Sequence, residues 1–333
     1  LKLGGVPAER INQVQMSMGM TAGVLLVLAF IFWLTPRYRG VIYGVVPLLL
    51  LELVVWGGRV EIETNDPTLG FRHDDIVQFL QEDPELFRIE SATGHWAPSA
   101  ALLHGLDDMG GVYNPLALAP YDALRWTIGE RGGVKHSYLN VKYVLADKGN
   151  RPGDGRLVLV YGDNPLIDVY ENTRVLPRAL FVTEVEVVAD HGAAWNSVHA
   201  GSFLPTQTVV IEADYLGLVG EWPTGGGSEG EVEVVRAGIN EMVYEVVAEA
   251  AGWLVLADVY YPNWKGVIDG EMAVPVIRAN YTFRAVPVPA GEHEVRLSFV
   301  PPNWYGAVGV SGGTFLGLFL MWVGVGWKRR RLG

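Results

Sequence analysis

No cysteine occurs in the 333 residues, which excludes a disulfide framework, a thiolate zinc site and a cysteine nucleophile together. Charge is scarce as well. Only 19% of residues are charged and half are hydrophobic, with a mean hydropathy of +0.21, whereas ordinary globular domains carry roughly a quarter charged residues. Apolar segments are therefore concentrated somewhere. Positive charge is the scarcer sign: 25 Lys and Arg stand against 37 Asp and Glu, a net of -12. This argues against nucleic acid or another polyanion as the main partner, because such binding needs clustered cations. The seven histidines, at 73, 95, 104, 136, 191, 199 and 293, include no H-x-x-x-H pair and no zinc spacing. The chain opens on Leu1, and LKLGGVPAERINQVQ lacks the basic-then-apolar layout of a signal peptide. Residues 1–15 read as the flank of a chain whose N-terminal part is missing.

What is present begins with three apolar runs. Met16 to Leu34 is charge-free and long enough to cross about 30 Å of hydrocarbon. Residues 40–58 carry one charge, Glu52, and 304–327 carry none before the basic tail Lys328 to Arg331. The expected fold class is a membrane protein with transmembrane helices at 16–34, 40–58 and 304–327. Basic residues near helix ends face the cytoplasm, so the loop 35–39 and the tail 328–333 are assigned there and 59–303 outside. Charge agrees with that split: 59–303 hold 17 basic and 35 acidic residues, the remainder 8 and 2. Gly309, Gly313 and Gly317 lie on one face of the third helix, a code for close helix packing that implies partner helices missing from this chain. The G-x-S-x-G match through Ser311 is accidental, because the nucleophile elbow needs a strand-to-helix turn. Glu52 is a proton-relay or substrate-site candidate, but its closeness to Trp56 and Arg59 favours the plainer reading of an interface residue.

Between the runs, 59–176 mixes helix and strand. Asp74 or Asp75 caps a helix bearing Ile76, Phe79 and Leu80, Pro84 breaks it, and Leu86 to Ile89 is strand-like. LNVKYVLAD at 139–147 and RLVLVYGD at 156–163 read as strands. From 177 to 303 short apolar runs follow one another, with turns at Asp269-Gly270 and Ala290-Gly291, the pattern of a β-sandwich. The loop PTGGGSEG (223–230) neither follows a nucleotide-binding strand nor opens a helix, so it is flexible and not a phosphate cradle.

Chemistry-bearing groups are few. His73-Asp74-Asp75 and Asp107-Asp108 have the composition of cation or acid–base sites, against the plainer readings of helix cap and acidic loop. Asn280-Tyr281-Thr282 is a formal glycosylation sequon. The aromatic segment YYPNW is the strongest candidate. Tyr260, Tyr261 and Trp264 offer faces on which a sugar stacks, and Asp269 and Arg278, with Lys265 and Asn280, offer hydrogen bonds; the competing reading places these aromatics in the sandwich core, because strand residues alternate inward and outward.

The stretch WLVLADVYYPNWKGVIDGEMAVPVIRANYTFRAVPVPAGEHEVRLSFVPPNW, 253–304, closely resembles the C-terminal signature of the bacterial YfhO-like membrane proteins. There a "YYPGWKAYVDG" hairpin precedes a "RANYLFRAVPVPAGEHEV" run. LNVKYVLAD (139–147), VYENTRVLPRALFV (169–182) and HDDIVQFLQEDPELFRI (73–89) are similar to further family segments, so that the likeness covers about 40–327. Asn263 stands where the family usually has Gly, and Asn tolerates the left-handed backbone such a turn needs.

The resemblance implies a glycosyltransferase-C type protein of the bacterial cell membrane. It would move sugar from a polyprenyl-phosphate carrier to an envelope glycopolymer such as teichoic acid at the outer face. It implies no cofactor beyond that lipid-linked sugar donor, and partners that are membrane lipid, the glycopolymer acceptor and the missing helices. Such transfer needs a carboxylate base, which the resemblance places before Leu1, so no catalytic residue and no metal ligand is assigned. Two readings stand: the C-terminal part of a sugar transferase, or a non-catalytic envelope component whose sandwich binds glycan or a partner protein.

Overall fold

The computed structural model describes residues 23–57, 69–111, 117–153, 156–219 and 230–331. It divides into two units, 1–67 and 68–333. In the first, residues 23–34 are helical (α1), Arg39–Gly44 winds as a 3-10 turn, and α2 runs over Val45–Gly57.

The expected transmembrane fold class is not met: among the described residues no helix is long and apolar enough to cross a membrane. Gly40 and Gly44 lie in the 3-10 turn, which leaves α2 only 13 residues, about 20 Å of helix against about 30 Å of hydrocarbon. Of the run 16–34 only 23–34 is described as helix, and residues 1–22, 58–68, 112–116, 154–155, 220–229 and 332–333 lie outside the described residues. The helix Trp304–Arg331 has 28 residues and is long enough. Five glycines, Ser311 and Thr314 dilute its apolar content over 304–320, and Thr314 Oγ1 returns to the Val310 carbonyl at 2.8 Å. A Cβ built on Gly309, Gly313 or Gly317 meets open space, so no described element packs on that stripe.

The second unit opens with α3 (Asp74–Gln81), whose Ile76, Val77 and Leu80 are buried. His73 occupies the N-cap position without a side-chain capping bond, so neither Asp74 nor Asp75 is the N-cap residue. Asp75 instead accepts from the Asn164 amide at 3.0 Å and the Tyr161 hydroxyl at 3.1 Å. A mixed five-stranded sheet follows, from β1 (Arg88–Ala92), β2 (Asp107–Asp108), β3 (Val141–Asp147), β4 (Val158–Tyr161) and β5 (Ile167–Glu171), in the order β2-β1-β3-β5-β4. β1 runs parallel to both β2 and β3, and the intervening chain holds α4 (Ala100–Leu103), α5 (Ala119–Thr127) and α6 (Val134–Ser137). Ile89, Leu145, Ile167 and Val169 pack on α3.

Chain after β5 enters two further sheets. One has the order β6-β11-β15-β14-β8-β7 and the other β13-β12-β16-β10-β9. The strands are β6 (Ala179–Val182), β7 (Glu184–Val188), β8 (Thr208–Glu212), β9 (Gly230–Ala237), β10 (Glu241–Ala248), β11 (Gly252–Val259), β12 (Trp264–Ile268), β13 (Met272–Pro275), β14 (Ile277–Ala279), β15 (Phe283–Val288) and β16 (Gly291–Phe299), with α7 (His191–His199) and α8 (Ala213–Leu216) between them and α9 (Trp304–Arg331) last. Period-2 alternation explains the layering. Leu254, Leu256, Val286 and Val288 face Tyr244, Val246, Ile268, Val295 and Leu297 of the opposed sheet. Trp253, Val255, Phe283 and Ala285 point the other way, into a core shared with Leu139, Val141 and Val144 and with α7 residues Ala194 and Val198. β11 and β15 are thus covered on both faces, and the charged residues they carry are enclosed.

Candidate functional site

Those enclosed charges line a cavity of about 580 Å³, where the first sheet meets the sandwich. Asp258 is 6% and Arg284 6% exposed. Two irregularities aim the groups at each other: the β11–β15 register shifts between Leu256 and Val259, and the β1–β3 register shifts between Arg88 and Ile89. Such bulges redirect side chains. The Arg88 and Arg178 guanidiniums donate to one Asp258 oxygen at 2.8 Å each, and Arg284 approaches the other at 3.3 Å. Arg178 reaches Asp107 as well, at 2.9 Å. Burial pushes the Asp258 carboxyl up, but the three guanidiniums outweigh it and hold the group below the usual carboxylate range.

The cluster interlocks the first sheet with the sandwich, but it does not use up its polar capacity. Arg284 Nη1, Asp258 Oδ2 and His104 Nε2 are buried without a hydrogen-bond partner, and all three residues line the cavity. Half-buried Trp264 forms part of the wall, with the Arg284 guanidinium 4.1 Å above its ring. Asn263, just before it, has φ 79°, a left-handed conformation that Asn tolerates. Asp83 and Glu85 also line the cavity, and Lys142 bonds them at 2.5 and 2.7 Å. Burial raises Asp83, but bonds from Lys142, the Glu85 N–H and Tyr143 bring it below its ordinary value. Asp83 and Asp258 are therefore kept ionised and are weak bases. Arg88, Arg178, Arg284 and Lys142 balance Asp83, Glu85, Asp107 and Asp258, and Arg284 keeps an unpartnered donor. The arrangement offers hydrogen bonds to a polar group from Arg284 Nη1 and Asp258 Oδ2.

The sequence candidates are distributed over three places. Trp264 belongs to the cavity, and Tyr261 lies nearby in the sense that both rings contact Phe299, at 6.0 and 5.6 Å. Tyr260 packs edge-on against Tyr215 at 5.6 Å, and Arg278 lies over Tyr215 at 4.9 Å while its guanidinium grips Glu212 through two bonds of 2.9 and 3.0 Å. Asp269 sits at the β12–β13 hairpin tip, bonded to His293 Nδ1 at 2.7 Å and to the Glu294 N–H at 2.9 Å. Lys265 is exposed, and Asn280 is buried between the Val210 N–H and the Tyr138 hydroxyl. Among the described residues no group of three or more His, Cys, Asp and Glu could hold a metal ion.

Sequence reasoning missed Arg88, Arg178, Asp258 and Arg284. For Asp258 and Arg284 the signal was a lone charge inside the apolar runs WLVLADVYY and FRAVPV, since a charge on a strand covered on both faces must be paired. No protein-family model, curated protein or solved structure matches the chain, and nothing in those comparisons identifies a YfhO-like family.

Proposed function

We propose that this chain handles phosphorylated sugar at the bacterial cell envelope, with the junction cavity holding the sugar-phosphate end of a polyprenyl-phosphate-linked donor. The observation that carries this reading is the Arg284 guanidinium, laid over Trp264 and retaining an unpartnered Nη1 beside Asp258. A phosphate oxygen satisfies the free donor, a sugar hydroxyl donates to Asp258 Oδ2, and the exposed edge of Trp264 meets the apolar ring face. The likeness of 253–304 to the YfhO-like signature supports the same ligand class. The role is binding rather than bond breaking, because Asp83 and Asp258 are held ionised by cations.

Calorimetric titration of the full chain with a hexose 1-phosphate tests this. Binding should fall at least tenfold in Trp264→Ala and Arg284→Met, with the unmodified hexose binding more weakly than its phosphate. Equal affinity of the variants, or no binding by the wild-type chain, overturns the proposal.

A further inference from the structure

A second cavity, of about 300 Å³, lies where β1 and β2 end, lined by Glu90, Thr93, Trp96, Asp108, Arg125 and Trp126 among others. Its place in the fold is informative. β1 is flanked by β2 on one side and β3 on the other, both parallel to it, so the chain leaves β1 for one neighbour and crosses back for the other. The carboxyl ends at such a switch point form the crevice in which open α/β sheets bind ligands.

The side chains there are set for recognition. Glu90 is buried yet fixed, accepting from Arg131 Nε at 2.7 Å and His136 Nε2 at 3.0 Å, while His136 Nδ1 accepts the Gly132 N–H at 3.4 Å. Burial raises the Glu90 carboxyl, but His136 and Arg131 outweigh this and hold it below its ordinary value. Asp108 moves the opposite way: burial, aided by the nearby Glu90 charge, raises it despite the N–H groups of Gly110 and Gly111 and the Arg125 charge. One carboxyl is thus a standing acceptor, and the other retains its proton to higher pH. Trp126 is 63% exposed, so its ring is open to a ligand, and the Arg125 guanidinium steadies it at 4.5 Å while anchored on Asp122 at 2.7 Å. Trp96 is 96% buried, by its 4% exposure, and its indole N–H has no partner among the described residues.

We infer that this crevice, with Glu90, Asp108, the Trp96 indole N–H and the Trp126 ring, is a second binding site, for a neutral saccharide unit. A ring face stacked on Trp126 and hydroxyls bonded to the two carboxyls and the indole N–H satisfy every group named. A phosphate is disfavoured, because Glu90, Asp108, Asp122 and Glu130 outnumber Arg125 and Arg131 around this crevice and its neighbouring groove. The inference does not depend on the sugar-phosphate reading of the junction cavity.

Saturation-transfer NMR of the full chain with a neutral oligosaccharide tests it, paired with the same titration of Trp126→Ala, Glu90→Gln and, as an exposed tryptophan outside both cavities, Trp304→Ala. Trp126→Ala should weaken binding at least tenfold without changing the melting temperature, because the ring is mostly in water. Glu90→Gln should weaken it as well, and Trp304→Ala should leave it unchanged. Wild-type affinity in Trp126→Ala, or loss of binding in Trp304→Ala alone, overturns the second site. Failure to bind hexose 1-phosphate would overturn only the junction-cavity reading.

Discussion

Replacing Asp258 by Asn removes one charge and almost no volume, so the measured cost is electrostatic. In the native protein that carboxylate is met by Arg88 and Arg178 at 2.8 Å and by Arg284 at 3.3 Å, with Arg88 and Arg284 side chains 9% and 7% exposed. Without it, three guanidiniums share a buried site whose only other acid contact is Asp107. Removing one partner of a buried pair typically costs about 3–5 kcal/mol. Arg178 retains Asp107 and Arg88 retains the Leu139 carbonyl at 2.8 Å, which argues for the middle of that range, about 4 kcal/mol. A domain's whole stability is about 5–15 kcal/mol, so the loss is large. Arg178→Met should cost only about 1–2 kcal/mol, because Asp258 keeps two guanidiniums and Asp107 is half exposed. Combining Asp258→Asn with Arg284→Met should cost at least about 1 kcal/mol less than the sum of the single changes.

Urea unfolding of the full chain, followed by both tryptophan fluorescence and circular dichroism, reads these differences. The pH dependence carries a sign. The native Asp258 pKa is depressed, so its contribution is present above the unfolded carboxylate pKa, about 3.9, and is lost as pH falls through the native value. The deficit of Asp258→Asn should shrink on acidification. A cost below about 1 kcal/mol at neutral pH, or a single arginine change costing as much as Asp258→Asn, would refute the reasoning.

Three further expectations follow from local geometry. A Cβ at Gly252 would lie 2.6 Å from Phe181 Cζ and 2.9 Å from the Val182 carbonyl oxygen, so Gly252→Ala should destabilise by about 1–3 kcal/mol in the same unfolding assay. Gly309→Ala and Gly313→Ala in α9 face open space and should leave unfolding unchanged or raise local helix stability by up to about 1 kcal/mol, read by amide exchange. Burial lowers His293, but its bonds to Asp269 and the Ala290 carbonyl outweigh this and raise its pKa. NMR titration should therefore place its midpoint above the ordinary value of about 6.5, and the pair's stabilisation should persist below that pH and fade as pH rises through the native midpoint. Asp269→Asn should move the midpoint back down.

Local pattern carried much of the second unit. The apolar run 139–147 contains β3, the helical spacing of Ile76 and Leu80 becomes α3, and Asp269 and Gly270, with φ 54° and 74°, adopt the paired left-handed conformation of a tight hairpin. The apolar runs were misread for a different reason. A charge-free stretch of 19 or more residues satisfies a length criterion, but Gly40 and Gly44 put a 3-10 turn into the second run, and closely spaced glycines dilute the third. Asp107 and Asp108 read as an acidic loop because two residues are too few to show a strand period; their partner is β1, distant in sequence. The junction site was illegible for the same reason. Arg88, Arg178, Asp258 and Arg284 come from four segments up to 196 positions apart in numbering, and only the stacking of the sheets brings them together.

The most direct test of a sugar-phosphate site is the arginine side chain that gives it an unpartnered donor. In a proton–nitrogen NMR titration of the full chain with hexose 1-phosphate, the Arg284 guanidinium and Trp264 indole resonances should shift together and saturate along one isotherm, while the Trp126 indole stays fixed. Saturable binding that leaves Arg284 and Trp264 unmoved would contradict the placement of that ligand in the junction cavity.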